Sequence, residues 1–197
     1  YGLAATGNSS FGYFGGGDPL STVDRVDYSN DTATAAVKGP LSLARAYSAA
    51  TGNADFGYFA GGGPGPKSTV DRLDYSNDTA TASVKGPLSA ARYALAATGN
   101  ASFGYFGGGQ PENQPAISTV DRIDYSNDTT DAVTKGPLSA ARKYVAATGN
   151  ASFGYFGGGD PGPKSTVDRI DYSNDTATAS AKGPLSSVSV QFSATGN

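Results

Sequence analysis

The chain has 197 residues, a net charge of −3 and a pI near 4.8. No basic patch appears, so nucleic acid is not an expected partner. No apolar run approaches the roughly 18 residues a membrane helix needs, so no membrane insertion is expected. The chain has no Cys, His, Met or Trp, and Glu112 is its single Glu. That removes disulfides, the usual zinc ligands and the commonest general base; no metal and no cofactor is expected. The chain opens on Tyr1 rather than Met, which reads as a mature or excised segment of something longer.

Internal repetition organises the rest. The tag ATGN ends at Asn8, Asn53, Asn100, Asn150 and Asn197, at spacings of 45, 47, 50 and 47 residues. The reading is a single repeat domain over 1–197, with units of approximately 1–45, 46–92, 93–142 and 143–190. Residues 191–197 end a duplicated copy of the first element. The differences in spacing have one address. Between the FGYF run and STV stand GGGDPL, AGGGPGPK, GGGQPENQPAI and GGGDPGPK, of six, eight, eleven and eight residues.

Within a unit, four short segments follow in order. The first, at 93–98, is closed by Gly99-Asn100. The second, at 102–108, runs into the variable Gly/Pro loop. The third, at 118–126, is closed by Asn127-Asp128, and the fourth, at 129–136, by Gly136-Pro137. In the third, Val120, Arg122 and Asp124 alternate with Asp121, Ile123 and Tyr125, the period of a strand. Gly-Asn and Asn-Asp tolerate the positive φ of tight turns. The stretch at 87–100 has an early Pro, an Ala-rich body and a closing Gly, which suits a helix. Its counterpart at 184–197 alternates Val188, Val190 and Phe192 with polar residues, so strand is the expectation for both.

Four antiparallel strands per 45–50 residues, repeated, predict an all-β fold: a β-propeller of four-stranded blades. The alternative is a linear stack of the same repeats in a filament. Tyr105-Phe106-Gly107-Gly108, then Tyr125, then Leu138 and Arg142 resemble a kelch repeat over nearly the whole chain. Two departures stand out. Small residues replace the kelch Trp on the fourth strand, and the last unit reads SSVSV where the Arg is expected. The wording of the repeats also resembles tracts in structural and fibre proteins of tailed phages from aquatic environments. Four units match a small four-bladed ring; the duplicated first strand points instead to a longer array or to exchange between chains. Blades cannot bury their own faces, so they must stack, and the strand aromatics are expected to wedge between neighbours.

Three glycines in a row invite a phosphate-loop reading, but no helix follows them and the Lys and Ser/Thr offsets are absent. Asp24/Asp27, Asp71/Asp74, Asp121/Asp124 and Asp168/Asp171 stand three apart in a strand, hence on opposite faces, and form no carboxylate pair. Arg25, Arg72, Arg122 and Arg169 are expected to pair with Asp on adjacent strands. A sialidase would need Asp-box turns with Trp and a non-repeating Arg cluster. The unique acids Asp18, Asp55, Glu112, Asp131 and Asp160 are scattered, so no enzyme is expected; a propeller-type carbohydrate-active enzyme is the weakest alternative. Sequons occur at Asn30, Asn77, Asn127 and Asn174, and at Asn8, Asn100 and Asn150. Glycans at these turns are one reading; plain turn chemistry is the other.

An up-down-up-down meander puts the 2–3 loop and the connection between units at one end. The expected binding face is that end, with Asp18, Lys67, Gln110, Glu112, Asn113, Gln114, Asp160 and Lys164 from the loops and Arg45, Arg92 and Arg142 from the connection. Blade-to-blade hydrogen bonding by those arginines is the competing expectation. The functional expectation is a non-enzymatic structural or adhesive module of a virion fibre or extracellular appendage. It would sit outside the cell or on the virion surface. Its partners would be a glycan or protein surface, with self-association or neighbouring repeats of a longer chain. A glycan-coated fibril subunit is the alternative.

Overall fold

The computed structural model describes residues 1–190 except Pro19 and Pro163. The duplicated first strand expected at 191–197 lies outside the described residues. Among the described residues, sixteen strands form four sheets, each an antiparallel meander in chain order. Blade 1 is β1 (Leu3–Gly7), β2 (Phe11–Gly16), β3 (Val23–Asp27) and β4 (Ala36–Lys38). Blade 2 is β5 (Ala49–Gly52), β6 (Phe56–Ala60), β7 (Val70–Asp74) and β8 (Ser83–Lys85). Blade 3 is β9 (Ala96–Gly99), β10 (Phe103–Gly107), β11 (Val120–Asp124) and β12 (Val133–Lys135). Blade 4 is β13 (Ala146–Gly149), β14 (Phe153–Gly157), β15 (Val167–Asp171) and β16 (Ser180–Lys182). The first strands pack side by side, β1 on β5, β5 on β9 and β9 on β13. This is a propeller arrangement around an axis, not a linear stack.

Two elements are shorter than their sequence pattern. Only Ala96–Gly99 of the helix-like stretch at 87–100 becomes strand, and the fourth strands have three residues each. In blades 2 to 4 the third strand ends in a single 3-10 turn, such as Tyr125–Asn127. The carboxylate of Asp124 caps it by accepting from the Ser126 N–H at 2.9 Å and Oγ at 2.7 Å. The Ser126 hydroxyl bond is the main reason Asp124 is held below the usual carboxylate range.

The core lies between blades rather than within them. Tyr13, Val23 and Leu41 of blade 1 and its connection pack against Phe59, Leu73 and Ala82 of blade 2. The same set recurs between blades 2 and 3 and between blades 3 and 4. A glycine opens two of the three joints, between blades 1 and 2 and between blades 3 and 4; between blades 2 and 3 the small side chain of Ala60 holds that place beside Phe106. A Cβ on Gly15 would stand 2.7 Å from the ring of Phe59, and one on Gly107 would stand 2.7 Å from Phe156. Gly therefore leaves the hole into which the next blade's phenylalanine inserts. Tyr13, Tyr58 and Tyr105 also stack on Tyr75, Tyr125 and Tyr172 of the following blade, at centroid separations of 4.6–4.7 Å.

Polar contacts repeat with the same stride. Asp128 of blade 3 accepts from the Tyr58 hydroxyl (2.8 Å), Arg72 (2.8 Å) and Lys85 (3.3 Å) of blade 2. Asp78 and Asp175 do the same for blades 1 and 3. Arg25, Arg72 and Arg122 thus reach a turn of the next blade, not the adjacent strand the sequence pattern suggested. The reason is strand alternation: their face of the third strand points out of the blade. Arg169 lies over the Phe153 ring at 4.4 Å and has no ion pair among the described residues.

The four blades do not close on one another. Phe14 of blade 1 is 41% exposed, whereas its equivalents Phe59, Phe106 and Phe156 are fully buried. Leu185, beyond blade 4, is 40% exposed, whereas Leu41, Leu88 and Leu138 are buried. Among the described residues the four blades therefore form an arc with two free faces, not the small closed ring that four units alone would match.

Candidate functional site at the wide end of the blades

The 2–3 loops and the connections between blades emerge at one end, as the meander requires. Here the arginines expected on the binding face take a different place. Arg45, Arg92 and Arg142 are 0–1% exposed. Arg92 donates to Asp121 at 2.9 Å and to the Phe106 carbonyl at 3.1 Å. Arg45 and Arg142 bond Asp71 and Asp168 at 2.5 Å and the carbonyls of Thr69 and Thr166. Burial pulls the Arg45 and Arg92 guanidinium groups below their ordinary range, opposed by the facing Asp. These residues pin each connection to the blade that follows, out of a ligand's reach. In blade 1, the equivalent carboxylate, Asp24, has no arginine among the described residues.

The three residues after each arginine also differ between units: Ala46-Tyr47-Ser48, Tyr93-Ala94-Leu95 and Lys143-Tyr144-Val145, with Tyr1-Gly2-Leu3 at the start. This second variable stretch is easily missed because it keeps its length. It lies against the variable loop. Paired backbone hydrogen bonds join Ala46 to Gly63, Tyr93 to Gln110 and Lys143 to Asp160. The middle residue of each stretch is left-handed: Gly2, Tyr47, Ala94 and Tyr144 have φ of 78°, 56°, 56° and 55°. Non-glycine residues adopt that conformation at a cost and mainly where the surroundings enforce it. Here Tyr47, Ala94 and Tyr144 each donate an N–H to the carbonyl of the preceding blade's residue at 2.8–2.9 Å.

The consequence is an aromatic cluster around the axis. The rings of Tyr1 and Tyr47 lie 5.8 Å apart, and Tyr47 meets Tyr144 edge-on at 6.3 Å. Tyr1, Asp18, Tyr47, Tyr93 and the loop from Gly63 to Pro66 enclose a cleft of about 230 Å³. The Tyr1 hydroxyl donates to Asp18 at 3.0 Å, and this bond raises the Tyr1 pKa. Beside the cleft, Gln110 Oε1 accepts from the Tyr93 hydroxyl (2.9 Å) and from Lys143 (2.6 Å). Lys143 also lies 3.9 Å from Asp160 and 5.2 Å from the Tyr144 ring centroid.

Of the loop residues expected at the site, Asp18, Gln110 and Asp160 line or adjoin this cluster. Lys67 instead closes its own loop, donating to the carbonyls of Pro64 and Gly65. Glu112, Asn113 and Gln114 project as an exposed tip, with Asn113 left-handed at φ 52°; Gln114 accepts from Gln110 Nε2 at 2.8 Å. Lys164 is half-buried, and its backbone carbonyl accepts from Ser189 N at 2.9 Å. No cluster of three acidic side chains able to hold a metal occurs among the described residues.

The opposite, narrow end is built from turns of constant length, each 1–2 turn opening on Gly-Asn. Asn8, Asn53 and Asn100 each accept two backbone N–H bonds within their own turn. Each also donates Nδ2 to a carbonyl of the next blade. In the sequons at Asn8 and Asn100, that nitrogen is therefore already bonded. Asn150 makes the two turn bonds and is exposed. Asn30, Asn77, Asn127 and Asn174 are exposed in their turns. A larger cavity of about 580 Å³ opens at this end and continues onto the free face of blade 1 past Phe14 and Tyr28. Its axial lining is these turns, in which Ser9 stands where the other three units have Ala54, Ala101 and Ala151.

Comparison with known proteins agrees with the fold. The solved structure titled "Structure of YjhT" superposes with a TM-score of 0.78 at 12% identity, over 94% of this chain and 66% of that one. The chain thus spans about two thirds of that structure's length, and at this identity the likeness is one of fold. No family model and no curated protein matches the sequence. Fold and comparison together define a chain of β-propeller blades.

Proposed function

We propose that the chain is a non-enzymatic structural or adhesive module, part of a virion fibre or extracellular appendage built of kelch-like blades. It holds a glycan or protein surface at the wide end. One observation carries this reading: the loop that changes length and the variable stretch after each arginine lie side by side and enclose an aromatic cleft. Functional variation rides on loops held by a constant scaffold. Tyrosine offers a flat apolar face and a hydroxyl, which suits a sugar ring or a peptide side chain. Asp18 and Gln110 add acceptors that fix orientation.

Saturation-transfer NMR against a panel of neutral and acidic oligosaccharides tests the glycan reading. A bound sugar should lose its signal in Tyr47→Gly, which keeps the left-handed backbone that Gly2 already adopts in blade 1. Unchanged signal in that variant would remove the cleft from the site, and release of reducing sugar during the titration would establish an enzyme instead.

A further inference from the structure

We propose that the two free faces of the arc are complementary and that a second copy of this chain docks head to tail, blade 1 of one against blade 4 of the other. The inference is independent of what the wide end binds.

Blade 4 presents a socket that no described residue fills. Its cavity of about 490 Å³ is lined by Tyr155, Gly157, Val167 and Leu185. These are the positions that receive Phe59, Phe106 and Phe156 at the three internal joints. Among the described residues, the nearest atoms to a Cβ on Gly157 would be those of Val167 and Leu185, at 3.6–3.8 Å, where Gly15 and Gly107 have a phenylalanine ring at 2.7 Å. Blade 1 presents the matching knob, Phe14, 41% exposed.

The polar groups match as well. Tyr155, Arg169 and Lys182 occupy the places of Tyr58, Arg72 and Lys85, and have no acidic partner among the described residues. Asp31 of blade 1 occupies the place of Asp128 and is exposed, with no side-chain donor among the described residues. Backbone fits too: Gly39, Gly86 and Gly136 each lie so close to a carbonyl of the next blade that a Cβ would overlap it, whereas a Cβ on Gly183 would meet none of the described residues within 4 Å. One face carries the donors and the hole; the other carries the acceptor and the knob. Such a contact is heterologous, and it closes into a ring or continues as an open chain according to its rotation. Two four-bladed copies make eight blades, within the range of known propellers.

Sedimentation velocity of the intact chain over a concentration series tests this. The expected result is a species of twice the 19.8 kDa monomer mass, or a longer series of multiples. Phe14→Asp removes the knob and Gly157→Phe fills the socket from within; each alone should weaken association by at least about 100-fold. Phe14→Asp retains a good socket and Gly157→Phe a good knob, so mixing them should restore a 1:1 pair. Far-UV circular dichroism of each variant confirms that both fold. A wild-type chain that stays monomeric at all concentrations, or a mixture that stays monomeric, overturns the proposal.

Discussion

The joint between blades 2 and 3 and the free face of blade 4 carry the same residues in different company. At the joint, Tyr58, Arg72 and Lys85 converge on one carboxylate, Asp128. On the free face, Tyr155, Arg169 and Lys182 have no carboxylate among the described residues. The repeat therefore encodes half of an interface at each end of every unit. Its stabilising value depends on whether the other half is present. A repeat array is held by neighbour terms of this kind more than by the stability of any single blade.

The largest expected break of that equivalence is at the shared carboxylate. Asp128→Ala leaves a buried tyrosine hydroxyl, an arginine and a lysine without their acceptor. It should cost about 3–5 kcal/mol in chemical denaturation. Asp31→Ala, the same residue in the repeat, should change the stability of the dissociated chain by no more than about 0.5 kcal/mol. Equal losses at both positions would show that blade 1 is covered.

Alkaline titration sharpens the comparison at a lower amplitude. Burial, with its bond to Asp78 second, pushes the Tyr13 pKa from 10.0 up to about 12. Burial pushes Tyr172 up to about 12 as well. A folded-state pKa above the unfolded one favours the folded state fully below pH 10. That contribution is lost as the pH rises through about 12. The melting temperature should therefore hold near pH 9 and drop by on the order of 5 °C by pH 11.5, one pKa unit being worth about 1.4 kcal/mol. Tyr172→Phe should flatten part of that slope.

The smallest effect belongs to the wide end. Deleting 112–116 shortens the longest loop to the six residues of its blade 1 counterpart. It spares the backbone bonds of Gln110 and Ile117. Thermal stability should change by less than about 0.5 kcal/mol, while capture of a ligand at the wide end falls. A loss comparable to that of Asp128→Ala would place the loop in the scaffold.

The sequence by itself determined the four units, their four strands, the meander and the loop that changes length. These follow from properties a strand carries locally: alternation with period two, and turns that need Gly, Asn or Asp. Glycine after the aromatics was also legible as a place of close approach. Only the tertiary structure decided what the repeated charges do. Arg45, Arg92 and Arg142 read equally well as a binding set or as blade joints, because a single unit does not show whether its neighbour covers them. It also decided the site. Tyr1, Tyr47, Tyr93 and Tyr144 stand at shifting positions within a constant-length stretch. Only the left-handed backbone at Tyr47 and Tyr144, held by hydrogen bonds between blades, brings residues some 45 or more positions apart around one axis. Contacts at that separation depend on how blades are set against each other, which no local pattern specifies.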